Sequence, residues 1–230
     1  MLVEPVAVFR SPFPTKFGVP RQAGVVADMP GQIILEKAYR TPDAIRGMED
    51  FDYLWLLWGF SANKHAASGA TVRPPRLGGN ASLGVFATRS PFRPNPIGLS
   101  SVRIDHIDYD AKEGPIIHVL GADLMDGTPI YDIKPYVPYT DAHPDARGGF
   151  TDTTQWRPLN VEIPAGLAAL FTALQLNVLR DTLAQDPRPH YHNDPERVYG
   201  MPFDGKDVRF RVEGDTLHVV EVQSALPKAQ

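Results

Sequence analysis

Cysteine is absent from the 230-residue chain. That excludes disulfides, thiolate metal sites and a cysteine nucleophile, and it suits a reducing compartment. Long apolar runs are missing too, since the longest block, Tyr53 to Phe60, is far too short to span a bilayer. Met1 to Arg10 carries no basic region followed by an apolar stretch and a small-residue cleavage site, so a cytoplasmic location is expected. No G-x-G-x-x-G and no G-x-x-x-x-G-K-[ST] occurs, which removes the usual nucleotide-binding turns. Acidic residues vanish between Tyr53 and Ile104, while Lys64, Arg73, Arg76, Arg89, Arg93 and Arg103 stand in the same stretch. The rest of the chain holds 17 basic and 27 acidic residues, a balance of −10 within an overall −4. Phosphates respond to local potential rather than net charge, so the acid-free stretch reads as an anion-binding surface.

Proline is abundant, at 23 residues, and it interrupts helices and central strands. Many short strands joined by firm turns are therefore expected. Leu2 to Phe9, Gln32 to Glu36, Tyr53 to Phe60, Leu83 to Thr88, Ile97 to Ile107, Ile116 to Leu120 and Ile130 to Ile133 read as strands. One short helix is predicted near Asp43 to Phe51. Seven strands without long helices between them favour an antiparallel barrel or sandwich over a doubly wound sheet. After Pro144 the texture changes, first to a loop rich in Gly, Thr and Asp up to Pro158, and a domain boundary is placed near residue 155. Leu167, Leu170, Phe171, Leu174, Val178 and Leu179 recur at helical spacing, and Val208 to Val212 with Leu217 to Val222 flank a Glu213-Gly214-Asp215 turn. The expected organisation is a mostly β N-terminal barrel over residues 1–155 and a small α+β C-terminal domain over 156–230.

Three segments set cations among prolines, which stiffen the backbone and hold charged heads in place. They are Arg10 to Gln22, Val72 to Ser100, and Asp123 to Tyr136. His190 and His192 with Asp186 and Asp194 sit in an exposed proline-rich context, and no metal is expected there.

Together these segments resemble the TrmO family of tRNA methyltransferases, also called TsaA-like or YaeB. The resemblance runs from Val8 to about Val212. It is carried by Ala87-Thr88-Arg89-Ser90 with Phe92-Arg93-Pro94-Asn95-Pro96-Ile97-Gly98, by Asp126-Gly127-Thr128-Pro129 with Asp132-Ile133-Lys134-Pro135-Tyr136, and by Gln185-Asp186-Pro187-Arg188-Pro189. The resemblance implies an S-adenosylmethionine-binding β-barrel without the Rossmann sheet, a small C-terminal domain and a homodimer. The implied reaction is methylation of the exocyclic nitrogen of threonylcarbamoyladenosine at position 37 of tRNA. The family's cofactor contacts fall on Pro20, Arg21 and Gln22, on Arg89, on Leu99, and on Asp126, Gly127, Thr128 and Pro129. Where the family often has His-Gln, this chain has Ser61-Ala62.

Chemistry suggests roles for these positions. Arg21 or Arg89 suits a methionine carboxylate, and Asp126 suits ribose hydroxyls or the ammonium group. Leu99 and Pro129 would wall the adenine. Asp132 and Tyr136 are candidates to orient or accept the departing proton. Lys134 or Arg93 suits the threonyl carboxylate of the substrate, and Arg73, Arg76 and Arg188 suit tRNA phosphates. Competing readings are a non-catalytic RNA-binding barrel, a metal enzyme using His106, His118 or His143, and a small-molecule methyltransferase on the same fold.

Overall fold

The computed structural model describes residues 2–63, 69–74, 77, 81–109, 112, 114–154, 157–189 and 194–224. Arg76, His190 and His192 lie outside the described residues. The strands are β1 (Ala7–Arg10), β2 (Pro30–Leu35), β3 (Tyr53–Gly59), β4 (Thr71–Val72), β5 (Leu83–Gly84), β6 (Ile97–Asp108), β7 (Ile116–Leu120), β8 (Pro129–Pro135), β9 (Asn160–Glu162), β10 (Tyr199–Phe203), β11 (Lys206–Glu213) and β12 (Thr216–Ser224).

Six of these strands close into a barrel in the order β1-β2-β7-β6-β3-β8. Every neighbouring pair in the ring is antiparallel. Alternation dictates which side chains fill it, because successive residues of a strand face opposite ways. Phe9, Ile33, Leu54, Leu56, Trp58, Val102, Ile117 and Ile130 point inward and are buried. Two glycines make room for the largest rings. A Cβ on Gly31 would lie 2.2 Å from Phe9 Cζ, and one on Gly98 would lie 2.3 Å from Trp58 Cε2.

Several local expectations shift. The stretch 43–51 forms two 3₁₀ turns, Pro42–Ile45 and Met48–Asp50, separated by Gly47 at φ 83°. Only Leu83–Gly84 of the expected 83–88 strand is extended, and Val85–Ala87 is a 3₁₀ turn. The helical periodicity after Pro164 is split in two. Ala165–Ala168 ends early, and a 12-residue helix, Ala173–Ala184, begins afresh at Thr172. Thr172 and Gln175 form a reciprocal capping box there, which fixes the restart because it satisfies two otherwise orphaned N–H groups.

This helix packs on a sheet of order β10-β11-β12-β9, in which β9 runs parallel to β12. The hairpin of β11 and β12 matches its expectation. The core under the helix recruits the other end of the chain. Phe13, Val26 and Met29, from the β1–β2 connection, are buried with Leu179, Met201, Phe203 and Phe210. Phe13 and Phe203 place their ring centroids 5.4 Å apart. Burying a side chain of that size contributes roughly 1.5–3 kcal/mol, so the β1–β2 connection is anchored to the C-terminal domain.

Candidate active site

Antiparallel alternation sends three connections to one rim of the barrel. β1 ends there at Arg10 and β2 begins at Pro30, β3 ends at Gly59 and β6 begins at Ile97, and β7 ends at Leu120 and β8 begins at Pro129. The connections at that rim therefore carry Pro20, Arg21 and Gln22, then Arg73, Arg89 and Arg93, and then Asp123 and Asp126 to Thr128. Residues far apart in the chain meet because the strands between them reverse direction.

Hydrogen bonds tie these connections together. Arg89 Nη1 donates to Gln22 Oε1 at 2.7 Å, and Gln22 Nε2 donates to the Arg21 carbonyl at 2.6 Å. Gly24 N–H donates to the Gly121 carbonyl at 2.8 Å, joining the first connection to the third. Trp58 Nε1 donates to Ser100 Oγ at 2.9 Å, and Ser100 Oγ donates in turn to Asp123 Oδ1. Burial pushes the Asp123 carboxyl above the usual carboxylate range. The Ser100 hydroxyl, the backbone N–H groups of Asp123 and Ala23, and the Arg89 charge oppose that rise. Leu99, beside Ser100 on the outward phase of β6, is 56% exposed, and Ile97 is exposed on the same face.

The family word at Asp126 forms a turn facing β1. Asp126 Oδ1 accepts from Ser11 N–H at 3.2 Å, and Oδ2 lies 3.5 Å from Arg10 Nη1. Gly127 has φ 75°, and its N–H donates to the Phe9 carbonyl. Thr128 is buried, donating Oγ1–H to the Met125 carbonyl. Pro129 opens β8 and pairs in register with Val8. Three residues earlier, Asp123 is the carboxylate that Ser100 binds and whose charged form the Arg89 charge favours, and the sequence reading did not single it out. Its signal was Ser100, a polar residue on the inward phase of β6 between Gly98 and Val102.

The remaining candidates spread outward. Asp132 and Lys134 stand on the outer face of β8, with Lys134 Nζ 2.8 Å from Asp132 Oδ2. In register, Asp132 pairs with Leu57, which pairs with Leu99, so Asp132 stands two strands, about 10 Å, from Leu99. Tyr136 lies past the far end of β8, against Tyr53 and Trp55. The seven residues of β8 separate it from the Asp126 turn by roughly 20 Å. Arg93 Nη1 donates to the Thr88 carbonyl at 3.2 Å, bracing its own loop. Arg73 is exposed just after β4. Arg188 is only 14% exposed and is bound by its neighbour Asp186.

His106 and His118 stack on the barrel with centroids 4.0 Å apart. Burial and the adjacent His106 hold the His118 imidazole below its ordinary value. Among the described residues no three His, Cys, Asp or Glu side chains are grouped to hold a metal. A cleft of about 470 Å³ between the barrel and the C-terminal domain is lined by Arg10, Gln32, His118, Gln175 and Asp204, and by none of Arg89, Leu99 or Asp123. Among the described residues no helix is long and apolar enough to cross a membrane.

The fold and rim define a class: a closed antiparallel barrel with charged and partly apolar loops gathered at one end, and no doubly wound sheet among the described residues. Comparison with known proteins makes the class specific. Residues 8–142 match the tRNA-methyltransferase O N-terminal domain, and residues 157–225 match the TrmO C-terminal domain. The chain belongs to the TrmO family. It is 42% identical over 217 residues to the tRNA (adenine(37)-N6)-methyltransferase of Escherichia coli K12, covering 91% of this chain and 92% of that protein. It is 38% identical over 231 residues, 96% of each chain, to a Pseudomonas aeruginosa protein named "Putative S-adenosylmethionine-dependent methyltransferase RcsF". A crystal structure of TrmO from P. aeruginosa superposes with a TM-score of 0.77 at 32% identity, over 97% of this chain and 98% of that one.

Proposed function

We propose that this protein transfers the methyl group of S-adenosylmethionine to the exocyclic amino nitrogen of threonylcarbamoyladenosine at position 37 of tRNA, in the cytoplasm. The observation that carries the reading is the Gln22–Arg89 hydrogen bond at the rim whose connections also carry Asp123, with the exposed apolar Leu99 opening the same rim. A cation and a carboxylate at one rim suit the zwitterionic amino-acid end of the methyl donor, and an apolar wall suits its adenosine. The donor set therefore fits S-adenosylmethionine, which supplies an activated methyl group. Arg89 takes the methionine carboxylate, Asp123 takes the ammonium, and Leu99 lies against the base.

The acceptor nitrogen loses a proton as it gains the methyl group. Its lone pair is shared with the purine and the carbamoyl carbonyl, so an acceptor for that proton assists the reaction. Asp132 is the better placed of the two candidates. It stands on the strand face that continues from Leu99, whereas Tyr136 sits at the opposite rim. Lys134, beside it, reads the threonyl carboxylate and so selects modified over plain adenosine. Arg73, Arg93 and Arg103 track phosphates near an anticodon loop, whose single-stranded base is cheap to extrude. A second copy of the chain covers Ile97 and the neighbouring exposed apolar surface, as in the homodimer the family resemblance implies.

The test is incubation with methyl-labelled S-adenosylmethionine and tRNA that either carries or lacks the threonylcarbamoyl group. Label should enter only the modified tRNA. Equal labelling of both, or of neither, overturns the substrate assignment.

A further inference from the structure

The family word Gln185-Asp186-Pro187-Arg188-Pro189 follows the long helix of the C-terminal domain and folds into a clip. Arg188 turns back on its own chain, with Nε donating to Asp186 Oδ1 at 2.8 Å and Nη2 donating to Oδ2 at 2.9 Å. The Arg188 backbone N–H also approaches Oδ1 at 3.3 Å. This forked pairing uses the edge of the guanidinium that would otherwise grip a phosphate. Asp186 sits at φ 49°, a left-handed conformation that Asp adopts more readily than most residues but still at some cost. The fork braces that turn.

The consequence lies across the domain boundary. The Asp186 main-chain carbonyl accepts from Arg21 Nη2 at 3.1 Å. From there the connections continue through the Arg21 carbonyl to Gln22, and from Gln22 to Arg89. An independent set of contacts points the same way. Phe13, Val26 and Met29 of the same rim loop are buried in the C-terminal core, and Gly18, at φ 92°, lies so close to Met201 that a Cβ would come within 2.4 Å of Sδ. The loop carrying Pro20 to Gln22 is therefore shaped by the C-terminal domain at both its apolar and its polar contacts.

We infer that the Asp186–Arg188 clip is a positioning device for the methyl-donor site, with Arg188 acting through Asp186 and Arg21 rather than touching RNA. The C-terminal domain thereby sets the affinity of the barrel for its small-molecule ligand. This inference rests on the reading that Arg21, Gln22 and Arg89 flank the donor.

The experiment uses the full chain with Arg188→Ala, Arg188→Lys, Asp186→Asn and Arg21→Ala. S-adenosylmethionine affinity is measured by calorimetry, and tRNA affinity over a salt series. Arg188→Ala is expected to weaken donor binding roughly tenfold, within the range of coupled neighbouring residues, while the slope of log affinity for tRNA against log salt stays unchanged. Lys cannot reproduce the fork and should behave like Ala. Adding Arg188→Ala to Arg21→Ala should cost little more, because both remove the same link. A phosphate contact gives the opposite pattern: unchanged donor affinity, a salt slope reduced by about one, and rescue by Lys. That pattern, or additive effects in the double variant, overturns the inference. If Arg188→Ala fails to fold, Asp186→Asn, which tolerates the left-handed turn, carries the same test on donor affinity. Absence of donor binding in the unaltered protein would instead remove the reading beneath it.

Discussion

Ser100 donates its hydroxyl hydrogen to Asp123, and in doing so joins the inside of the barrel to the loop at its rim. The hydroxyl is oriented by the Trp58 indole, whose N–H it accepts. Trp58 in turn lies over Gly98, where no side chain intervenes. A buried aromatic ring, a strand glycine and a serine on the inward phase together hold one carboxylate at the rim.

Replacing Asp123 tests that arrangement through pH as well as through binding. Its folded-state pKa is raised, chiefly by burial. A group of this kind contributes stability that is fully present below the unfolded pKa and is lost as pH rises through the folded one. The loss begins near pH ~4, the ordinary Asp value, and extends upward. Relative to Asp123→Asn, the unaltered protein should therefore lose stability across that window, as read by urea unfolding at a series of pH values. Donor affinity at neutral pH should fall roughly tenfold in the variant, as expected when a charge-assisted contact to the ammonium is lost. Parallel stability curves and unchanged affinity would mean that Asp123 faces neither the burial nor the ligand assigned to it.

Asp126 should respond differently. Both its oxygens serve the end of β1, through Ser11 N–H and Arg10. Asp126→Asn is expected to cost about 1–2 kcal/mol of folding stability, since one charge-assisted hydrogen bond is weakened and one exposed ion pair is lost. Donor affinity should change less than for Asp123→Asn. A variant that folds normally but fails to bind the donor would return the ligand contact to Asp126.

Much of this architecture was legible in the chain. The β-branched and aromatic runs within Pro30–Leu35, Tyr53–Gly59 and Ile116–Leu120 mark strands, and the turn at Gly214 marks the hairpin. Closure of the ring was not legible, because β1–β8 and β3–β8 pair across more than 70 residues and no local pattern encodes that partnership. The helix break at Thr172 was missed because apolar spacing continues through it, while the capping box that restarts the helix needs only two polar side chains. At the site, the family words pointed to Asp126, the more conspicuous aspartate of the Asp123-Leu124-Met125-Asp126 run, and not to Asp123, the carboxylate that Ser100 binds. The setting of Asp123 depends on Ser100 and Ala23, contacts that exist only once distant parts of the chain have been brought together. Arg188 was read from the sequence as a phosphate contact. In sequence it is a cation among prolines, and only the folded clip reveals that its fork is spent on Asp186.

Gly98→Ala probes the inside of the barrel. A methyl group there would stand 2.3 Å from the Trp58 ring, so the ring must move. Overpacking of this kind costs roughly 1–3 kcal/mol. Displacing Trp58 also breaks its bond to Ser100, so indole fluorescence should shift and donor affinity should fall together. A change in stability with neither of these would separate the core from the rim.

Lys134 offers the sharpest test of substrate choice. Its ion pair with Asp132 is exposed, the lysine side chain being 62% accessible, and such pairs contribute only about 0–1 kcal/mol. The ammonium can therefore leave Asp132 for a substrate carboxylate at little cost, freeing Asp132 to take the proton released at the amino nitrogen. Lys134→Ala should lower kcat/KM on threonylcarbamoylated tRNA at least roughly tenfold, the scale of one charge-assisted hydrogen bond, with donor affinity unchanged. Lys134→Arg should restore part of the loss by keeping the charge. Equal losses in donor binding and turnover would show that Lys134 supports the strand rather than the substrate, and the preference for the modified base would then need another reader on the same face.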